Sequence, residues 1–279
     1  MKQTKNYGTL TLRPEGGLGN RLRAIASAVH LASETGVRLN VIWFRDWACR
    51  ATYSQLFEPS GLLALRDARP IDYVLDDRPR LKNIFIPKLF QLIKYDQRMG
   101  QDESYRLSLQ HFDFNAWAKG RQSYLGCYSE FGLPDASIYS RLFHPIPLIM
   151  QKVRHNMQLL GNRPIGIHIR RTDNVPSTQQ SPVELFTNKV ESLLNSNPSQ
   201  KFFLASDDEP TKELFRKRYG DAIVANPFVA TRRSVEGLQN AVAEMFTLAA
   251  TTCIYATLDT SFSTIASKIG QTQLVVLHT

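Results

Sequence analysis

Few cysteines and no long apolar run occur in this chain of 279 residues. Its three cysteines, Cys49, Cys127 and Cys253, are too few and too far apart for a disulfide framework or a zinc site. The longest apolar stretches have the length of a strand, well short of the ~20 residues that a membrane helix needs. The polar N-terminus lacks the apolar core of a secretory signal. We therefore expect a protein without a membrane span in a reducing, cytoplasmic compartment.

Blocks of like charge and low-complexity segments are also absent. Lys and Arg outnumber Asp and Glu by 34 to 25, a formal net charge of +9, but the basic residues are scattered. A basic protein favours an anionic partner, yet the chain has neither interleaved aromatics nor a recognised nucleic-acid module. We expect no nucleic-acid partner. The charge indicates either a plain basic surface or a site for a phosphorylated small molecule.

The alternation of strand and helix patterns predicts the α/β class. Residues 9–44 read as strand, helix and strand, which is one βαβ unit. Residues 59–145 have unclear periodicity apart from a strand at 123–128, and we expect helices and loops there. From residue 164 to residue 278, strands and helices alternate, which predicts a parallel, doubly wound sheet.

A change of composition near residues 144–147 divides the chain. We predict an N-terminal Rossmann-like domain of residues 1–147 and a C-terminal one of residues 148–279, facing one central cleft. Ligands of open parallel sheets bind outside the carboxyl ends of the strands, and the unusual residues of this sequence follow strands. In the second domain, Ser181 and Pro182 predict a helix start with Ser181 as the N-cap.

A glycine-rich segment, GGLGNR at residues 16–21, lies between the first strand and the first helix. Glycines let the backbone approach a ligand closely, and a helix N-terminus offers free N–H groups to an anion. The spacing is neither that of the dinucleotide fingerprint nor that of a P-loop. The segment therefore indicates either a ligand-binding loop or a plain glycine turn.

The segment HIRRTD at residues 168–173 directly follows an apolar strand. His168 and Arg170 share one face of that strand, and Arg171 points to the other. A guanidinium is a planar fork suited to phosphate. Arg170 and Arg171, with Asp173 two residues on, can therefore neutralise and orient a pyrophosphate. The alternative is a surface ion pair between Arg171 and Asp173.

Two further polar segments follow strands of the second domain. Residues 258–264 (LDTSFST) place hydroxyls and backbone N–H groups at a helix start, where they can cradle an anion. The alternative is that Ser261 only caps the helix. Residues 206–208 (SDD) place adjacent carboxylates at a strand end, without the Asp-x-Asp spacing of many metal-dependent sugar transferases. Asp208 serves equally well as a helix cap.

These segments together resemble the α1,6-fucosyltransferases and the wider fucosyltransferase superfamily. HIRRTD at 168–173 resembles the His-x-Arg-Arg-Thr-Asp motif of the α1,6 enzymes, which include the animal N-glycan core enzyme and the rhizobial nodulation enzyme. Residues 16–21 are similar to the Gly-x-Gly-Asn loop of the α1,2 and protein O-fucosyltransferase branches. LASDD at 204–208 resembles the Leu-Ala-Thr-Asp-Asp segment, and residues 260–267 resemble the third, Ser/Phe-rich motif.

The resemblance implies a GT-B-like fold and a metal-independent enzyme without a cofactor, which transfers fucose from GDP-fucose to a glycan hydroxyl with inversion. It places Arg170 on the donor β-phosphate and Arg171 on the pyrophosphate. Asp173 is the candidate base, because Thr178 stands where the core-fucosylation enzyme has a Glu; assistance from the donor phosphate is the other possibility. The donor-binding residues that it implies are Gly17, Gly19, Asn20, Arg21, His168, Arg170, Asp207, Glu244, Ser261, Phe262, Ser263 and Thr264.

Within that set, Asn20 and Arg21 are expected to face the sugar and the acceptor, and Glu244 to recognise the guanine edge. Glu244 lies opposite the apolar stripe of its predicted helix, so a solvated acid is its alternative. Two other functions stay open. One is a transferase that uses another nucleotide sugar, and the other is a non-catalytic nucleotide- or carbohydrate-binding protein on the same fold.

Overall fold

The computed structural model describes residues 7–75, 86–172, 175–227 and 230–279. The chain divides into two compact units, Met1–His144 and Pro145–Thr279, where the sequence predicts a boundary after residue 147. Each unit is built on one five-stranded parallel sheet with helices packed against it. The predicted α/β class, with two Rossmann-like units in series, is confirmed.

The first unit carries its elements in an order that alternates strands with helices. Its strands are β1 (Thr9–Pro14), β2 (Arg38–Trp43), β3 (Ala64–Asp67), β4 (Gln97–Met99) and β5 (Gln122–Cys127). Its helices are α1 (Leu18–Thr35), α2 (Asp72–Leu75), α3 (Ile86–Lys94), α4 (Gln101–Leu109), α5 (Phe114–Ala118) and α6 (Ser137–Leu142), with a 3-10 turn at Tyr53–Gln55.

The sheet of the first unit has the order β3-β2-β1-β5-β4, with all neighbours parallel. Its central strand β1 is buried on both faces: Leu10 and Leu12 on one face are fully buried, and Thr11 and Arg13 on the other face are 6% and 2% exposed. From β1 the chain adds β2 and β3 on one side of the sheet, and then β4 and β5 on the other side, with β5 next to β1. The carboxyl ends of β1 and β5 therefore flank the point where the strand order reverses.

Helix α1 follows β1 at once and buries its apolar stripe, including Leu22 and Ile25. It ends at Gly36, whose φ of 73° is a left-handed conformation that favours glycine. The amide of Gly36 closes the last turn by donating to the carbonyl of Ala32 at 2.9 Å. The loop before α1 is thus held between a buried strand and a buried helix.

The expectation of only helices, loops and one strand between residues 59 and 145 is wrong. Strands β3 and β4 also form there, with four and three residues. Both lie at sheet edges with one strand neighbour each. Edge strands are short and tolerate polar residues such as Arg66 and Gln97. They therefore leave little apolar alternation in the sequence.

The second unit has five strands and helices that follow them closely. The strands are β6 (Ile165–Ile169), β7 (Phe202–Ser206), β8 (Ile223–Val224), β9 (Cys253–Thr257) and β10 (Gln273–Leu277). The helices are α7 (Pro147–Leu160), α8 (Val175–Gln180), α9 (Val183–Ser196), α10 (Glu209–Tyr219), α11 (Val235–Ala249) and α12 (Ser261–Gly270).

The sheet of the second unit has the order β10-β9-β6-β7-β8. Numbered within the unit, this is the Rossmann order 3-2-1-4-5, read from the other edge. The strands β6 and β7 are entirely buried, and Ile167, Leu204 and Phe215 belong to the apolar cluster beside them. The order reverses between β6 and β9, so their carboxyl ends flank the crevice where such sheets bind ligands.

Ser181 is not the N-cap of the helix that follows it. Helix α9 begins at Val183 with Pro182 as its N-cap. The hydroxyl of Ser181 instead donates to the carbonyl of Leu277 at 2.6 Å and accepts from the amide of Leu258 at 3.1 Å. A local capping pattern is overridden here by a tertiary contact with strand β10 and the loop after β9.

None of the helices in the part of the chain that the structure describes has the length and apolar character to span a bilayer. Cys49, Cys127 and Cys253 are free thiols, and the first two are buried.

Candidate functional site

The carboxyl ends of β6 and β9 are joined at the point where the strand order reverses. Arg170 follows β6, and its amide donates to the hydroxyl of Thr257, the last residue of β9, at 3.1 Å. The side chain of Arg170 is half-buried. We call residues 168–172 and 257–264 the β6–β9 edge. Because its backbone is held by a neighbouring strand, Arg170 projects from a fixed point of the sheet.

Asp207 holds the loop that carries Arg171. Its carboxylate accepts from the amide of Arg171 at 2.8 Å and from the hydroxyl of Thr172 at 2.5 Å. Asp207 therefore positions the loop that carries Arg171, and its predicted role in donor binding stays a prediction. Its neighbour Asp208 is the N-cap of α10 and accepts from the amide of Thr211 at 2.9 Å, which confirms the helix-cap alternative.

Arg171 is half-buried, and its Nη1 lies 3.5 Å from the carbonyl oxygen of Thr178. This contact joins the loop after β6 to helix α8. Asp173, the predicted base and the alternative partner of Arg171, lies outside the described residues. The structure therefore places Arg170 and Arg171 at one strand end and leaves the predicted role of Asp173 a prediction.

His168 is buried beneath the β6–β9 edge. Its ring stacks on Phe262, with centroids 4.9 Å apart and planes inclined by 29°. Its Nδ1 lies 3.4 Å from the hydroxyl oxygen of Thr260. Burial, helped by the positive charge of Arg170, lowers the pKa of His168 to about 4. The imidazole is therefore neutral near pH 7.

The start of α12 differs from the expected row of exposed hydroxyls. Thr260, and not Ser261, is the N-cap. The hydroxyl of Ser263 is buried and hydrogen-bonded to that of Thr260, so it does not face a ligand as predicted. Thr264 donates from its hydroxyl to the carbonyl of Thr260 at 2.9 Å. The half-buried Ser261 and the free N–H groups of the first turn remain to contact an anion.

Glu244 is buried, so the solvated alternative for this residue is wrong. Its Oε1 lies 3.6 Å from Nζ of Lys212, and both side chains are almost fully excluded from water. Burial raises the pKa of Glu244 to about 7, against the opposing effects of Lys212 and a hydrogen bond from Asn226. The pair joins α11 to α10, and α11 packs against β6 and β7. The predicted contact of Glu244 with a guanine stays a prediction.

In the first unit, the side chain of Arg21 is buried and binds three other segments of the chain rather than facing a ligand. It is fully buried, and its Nε donates to the carbonyl of Gly16 at 2.8 Å. Its Nη1 donates to the carbonyl of Phe44 at 2.6 Å, and its Nη2 pairs with Asp46 at 2.8 Å. The prediction that Arg21 faces the sugar and acceptor is therefore corrected. Its guanidinium ties the glycine loop, residues 14–20, to the chain after β2.

The glycine loop itself leaves room above its backbone. Gly16 has a φ of 75°, a left-handed conformation that favours glycine. Gly17 is the N-cap of α1, and a Cβ placed there would meet no atom within 4 Å. Asn20 is half-buried beside Gly16, whereas Gly19 is buried within the first turn of α1. Gly17 and Asn20 are therefore the predicted residues that this loop leaves open to a ligand.

The sequence interpretation missed three residues that organise these sites. Thr257 could have been found, since it is a hydroxyl residue that ends an apolar strand beside the motif. Asp46 and Lys212 gave no such signal, because their partners lie 25 and 32 residues away in the chain. A charged residue in a turn or on a helix is ordinarily solvated, so only the fold shows that these two are buried.

Solved structures of fucosyltransferases have the same fold. A variant of Arabidopsis thaliana FUT1 in complex with GDP matches 99% of this chain and 72% of its own, at 15% identity and a TM-score of 0.66. Fucosyltransferase NodZ from Bradyrhizobium matches 93% and 92%, at 17% identity and a TM-score of 0.64. POFUT1 in complex with GDP matches 98% and 99%, at 10% identity and a TM-score of 0.57.

No protein-family model matches this sequence, and no curated protein matches it in a sequence search. The similarity to fucosyltransferases is therefore one of fold, at low identity over nearly the whole chain. The predicted GT-B-like fold class is confirmed by it.

Proposed function

We propose that this chain is a glycosyltransferase that transfers fucose from GDP-fucose to a hydroxyl of a glycan acceptor. The observation that carries the proposal is the β6–β9 edge, where Arg170 and Arg171 leave a buried strand at the crevice of a Rossmann-like sheet. Solved structures with the same fold are described as complexes with GDP and, for POFUT1, with GDP-fucose. The HIRRTD motif at residues 168–173 supports the same donor.

The proposed mechanism relies on fixed positive charge at the leaving group. When the bond between fucose and phosphate breaks, negative charge develops on GDP and positive charge on the sugar. Arg170 and Arg171 would stabilise the diphosphate, and the N-terminus of α12 would add its partial positive charge. The transfer is proposed to invert the anomeric carbon and to need no metal or other cofactor, because the guanidinium groups would supply the charge that a metal supplies elsewhere.

Two buried residues would recognise the nucleoside: His168, which is neutral at neutral pH, and Glu244, which lies beside the positive charge of Lys212. His168, whose neutral ring is buried against Phe262, is proposed to lie beside the nucleotide. Glu244, whose carboxyl is buried beside Lys212, stays the proposed acceptor for the N–H donors on the guanine edge. Asp173 stays the proposed general base, and the donor phosphate is the alternative that would assist the acceptor hydroxyl. The scarcity of cysteine supports action in a reducing, cytoplasmic compartment.

Thermal unfolding with nucleotides tests the donor. GDP should raise the melting temperature more than UDP or ADP at equal concentration, because only a ligand bound to the folded state stabilises it. The variant Arg170→Ala should lose most of the GDP shift and keep the melting temperature of the free protein. Arg154→Ala, an exposed arginine on α7, is the matched control and should keep the shift. A larger shift with UDP would contradict the donor assignment.

The binding-protein alternative is distinguished by turnover. If GDP-fucose binds and is neither hydrolysed nor consumed with any acceptor, the non-catalytic function is favoured. Release of GDP from GDP-fucose that depends on Arg170 would favour the enzyme.

A further inference from the structure

A single large aromatic side chain stands out from the turn that follows β2. Trp47 is 69% exposed, whereas its neighbours Asp46, Ala48 and Cys49 are 7%, 3% and 0% exposed. An exposed indole forgoes much of the stabilisation that its burial would bring. Its position therefore calls for a role outside the core of the first unit.

The turn beneath Trp47 is held from several directions. The amide of Asp46 donates to the carbonyl of Cys49 at 3.0 Å, and the amide of Cys49 donates back at 3.3 Å. The carboxylate oxygen Oδ1 of Asp46 accepts from the amides of Ala48 at 2.9 Å and Cys49 at 3.2 Å. The indole is therefore carried by a short turn, residues 46–49, that these four hydrogen bonds hold in place.

This turn is connected directly to the glycine loop. The other carboxylate oxygen of Asp46 pairs with Nη2 of Arg21 at 2.8 Å, and Nε of Arg21 binds the carbonyl of Gly16 at 2.8 Å. Both segments follow strands of the first sheet, β2 and β1, at their carboxyl ends, which is the edge where parallel sheets bind ligands. One buried guanidinium thus fixes Trp47 relative to the loop that the sequence assigns to the sugar and acceptor.

The chemistry of the exposed groups fits a saccharide. The face of an indole packs against the C–H face of a pyranose ring while the hydroxyls of the sugar keep hydrogen bonds at the rim. Arg45 and Arg50, on either side of Trp47 in sequence, are exposed and can donate such hydrogen bonds. A purely apolar partner would offer these two guanidinium groups no acceptors.

We propose that Trp47 is the stacking platform for a sugar ring of the acceptor glycan, with Arg45 and Arg50 as hydrogen-bond donors at its rim. That the bound glycan is an acceptor rests on the proposed function. The binding of a saccharide at Trp47 can nevertheless be measured without any donor. A second copy of this chain, docked through Trp47, is the competing occupant.

The experiment uses the full chain, labelled and applied to a printed array of neutral and acidic oligosaccharides. Wild type should bind a defined set of glycans, and Trp47→Ala should lose about tenfold or more of the affinity for them, as an aromatic anchor at the centre of a contact does. Trp47→Phe should retain part of the binding. Tyr7→Ala, which removes an exposed aromatic at the opposite end of the same sheet, should bind as wild type does.

Two parallel measurements separate the possible failures. The GDP-induced shift in melting temperature should be the same in Trp47→Ala and wild type; if GDP gives no shift in either, the donor assignment fails while loss of glycan binding still supports a saccharide platform. With the best array ligand as acceptor, Trp47→Ala should have a higher acceptor KM than wild type. Its hydrolysis of GDP-fucose in the absence of acceptor should change little.

The proposal is overturned if wild type binds no glycan on the array, or if Trp47→Ala binds the same glycans equally well. It is also overturned if sedimentation shows a dimer of wild type that Trp47→Ala converts to a monomer, since the occupant is then a second copy.

Discussion

At the scale of single residues, some charged side chains of the motifs are committed to contacts within the fold, and others are the groups that we propose for a ligand. Arg21, Asp207 and Asp208 use their side chains on the chain itself. The half-buried Arg170 and Arg171 follow a strand end and are the groups that we propose for the diphosphate. The sequence motifs contain both kinds of residue and do not distinguish them, because the burial of a charged side chain depends on the fold and not on the residue type.

Glu244 makes a prediction about pH. Burial raises its pKa from 4.5 to about 7, so the folded protein keeps a proton that the unfolded chain releases. Between pH 4.5 and about pH 7 the unfolded state binds fewer protons than the folded state. The contribution of Glu244 to the free energy of unfolding is therefore lost as the pH rises through this range. Urea unfolding of Glu244→Gln and wild type at pH 4.5 and pH 7.5 should therefore show wild type losing on the order of 1 kcal/mol or more relative to the variant.

The control for that measurement is Glu236→Gln, which changes an exposed carboxylate on the same helix α11. Its difference from wild type should be the same at both pH values. Equal pH dependence of Glu244→Gln and wild type would mean that the proton is not held in the folded state. His168 has the opposite sign, because its lowered pKa of about 4 removes stability as the pH falls below 6.5, and it is unchanged in both variants.

At the scale of elements, the strands of the second sheet were predictable, including its edge strands β8 and β10, whereas the edge strands β3 and β4 of the first sheet were not. Strands β6 and β7 are buried along their whole length and are mostly apolar, because helices cover both faces of the sheet. Strands β3 and β4 pair on one side only, and their half-buried polar residues resemble a loop in sequence. Helix starts show the same limit: Asp208 caps α10 as the local pattern predicts, whereas Ser181 is drawn away by Leu277.

The packing of α12 against α11 depends on a small residue at its end. A Cβ at Gly270 would overlap the carbonyl oxygen of Ala249, a backbone atom at the end of α11. Gly270→Ala should therefore lower the free energy of unfolding by about 1–3 kcal/mol, the usual cost of overpacking. Gly61→Ala, where a Cβ would meet nothing within 4 Å, is the control and should unfold at nearly the wild-type denaturant concentration.

Urea titrations of the two variants provide the measurement. An unchanged midpoint for Gly270→Ala would show that the end of α11 can move aside, and that the two helices are not held at a fixed distance by this glycine.

At the scale of the whole molecule, the two units share one architecture and differ in strand order. The second sheet has the Rossmann order, whereas in the first sheet the last two strands exchange places. Alternation of strand and helix patterns predicted the class of both units. It could not predict strand order, which depends on pairings between segments far apart in the chain.

The net charge of +9 makes a prediction about salt. An anionic nucleotide is attracted by the whole charge distribution, and salt screens that attraction. Raising NaCl from 50 to 500 mM should weaken GDP binding several-fold in calorimetric titrations, and less so for Arg170→Ala. Guanosine, which lacks phosphate, is the control ligand and should bind with little dependence on salt. A salt dependence for guanosine equal to that for GDP would contradict an electrostatic origin.

The buried guanidinium of Arg21 has a consequence for how such a protein can diversify. It serves the glycine loop, the end of β2 and the turn under Trp47 at once, so a replacement that suits one of these segments must suit the other two. Lysine, with one point charge, cannot span three acceptors in the fork geometry that arginine provides. Changes in preference for one sugar over another should therefore arise at the exposed tip of the turn, through residues such as Trp47, while the support beneath it stays constant.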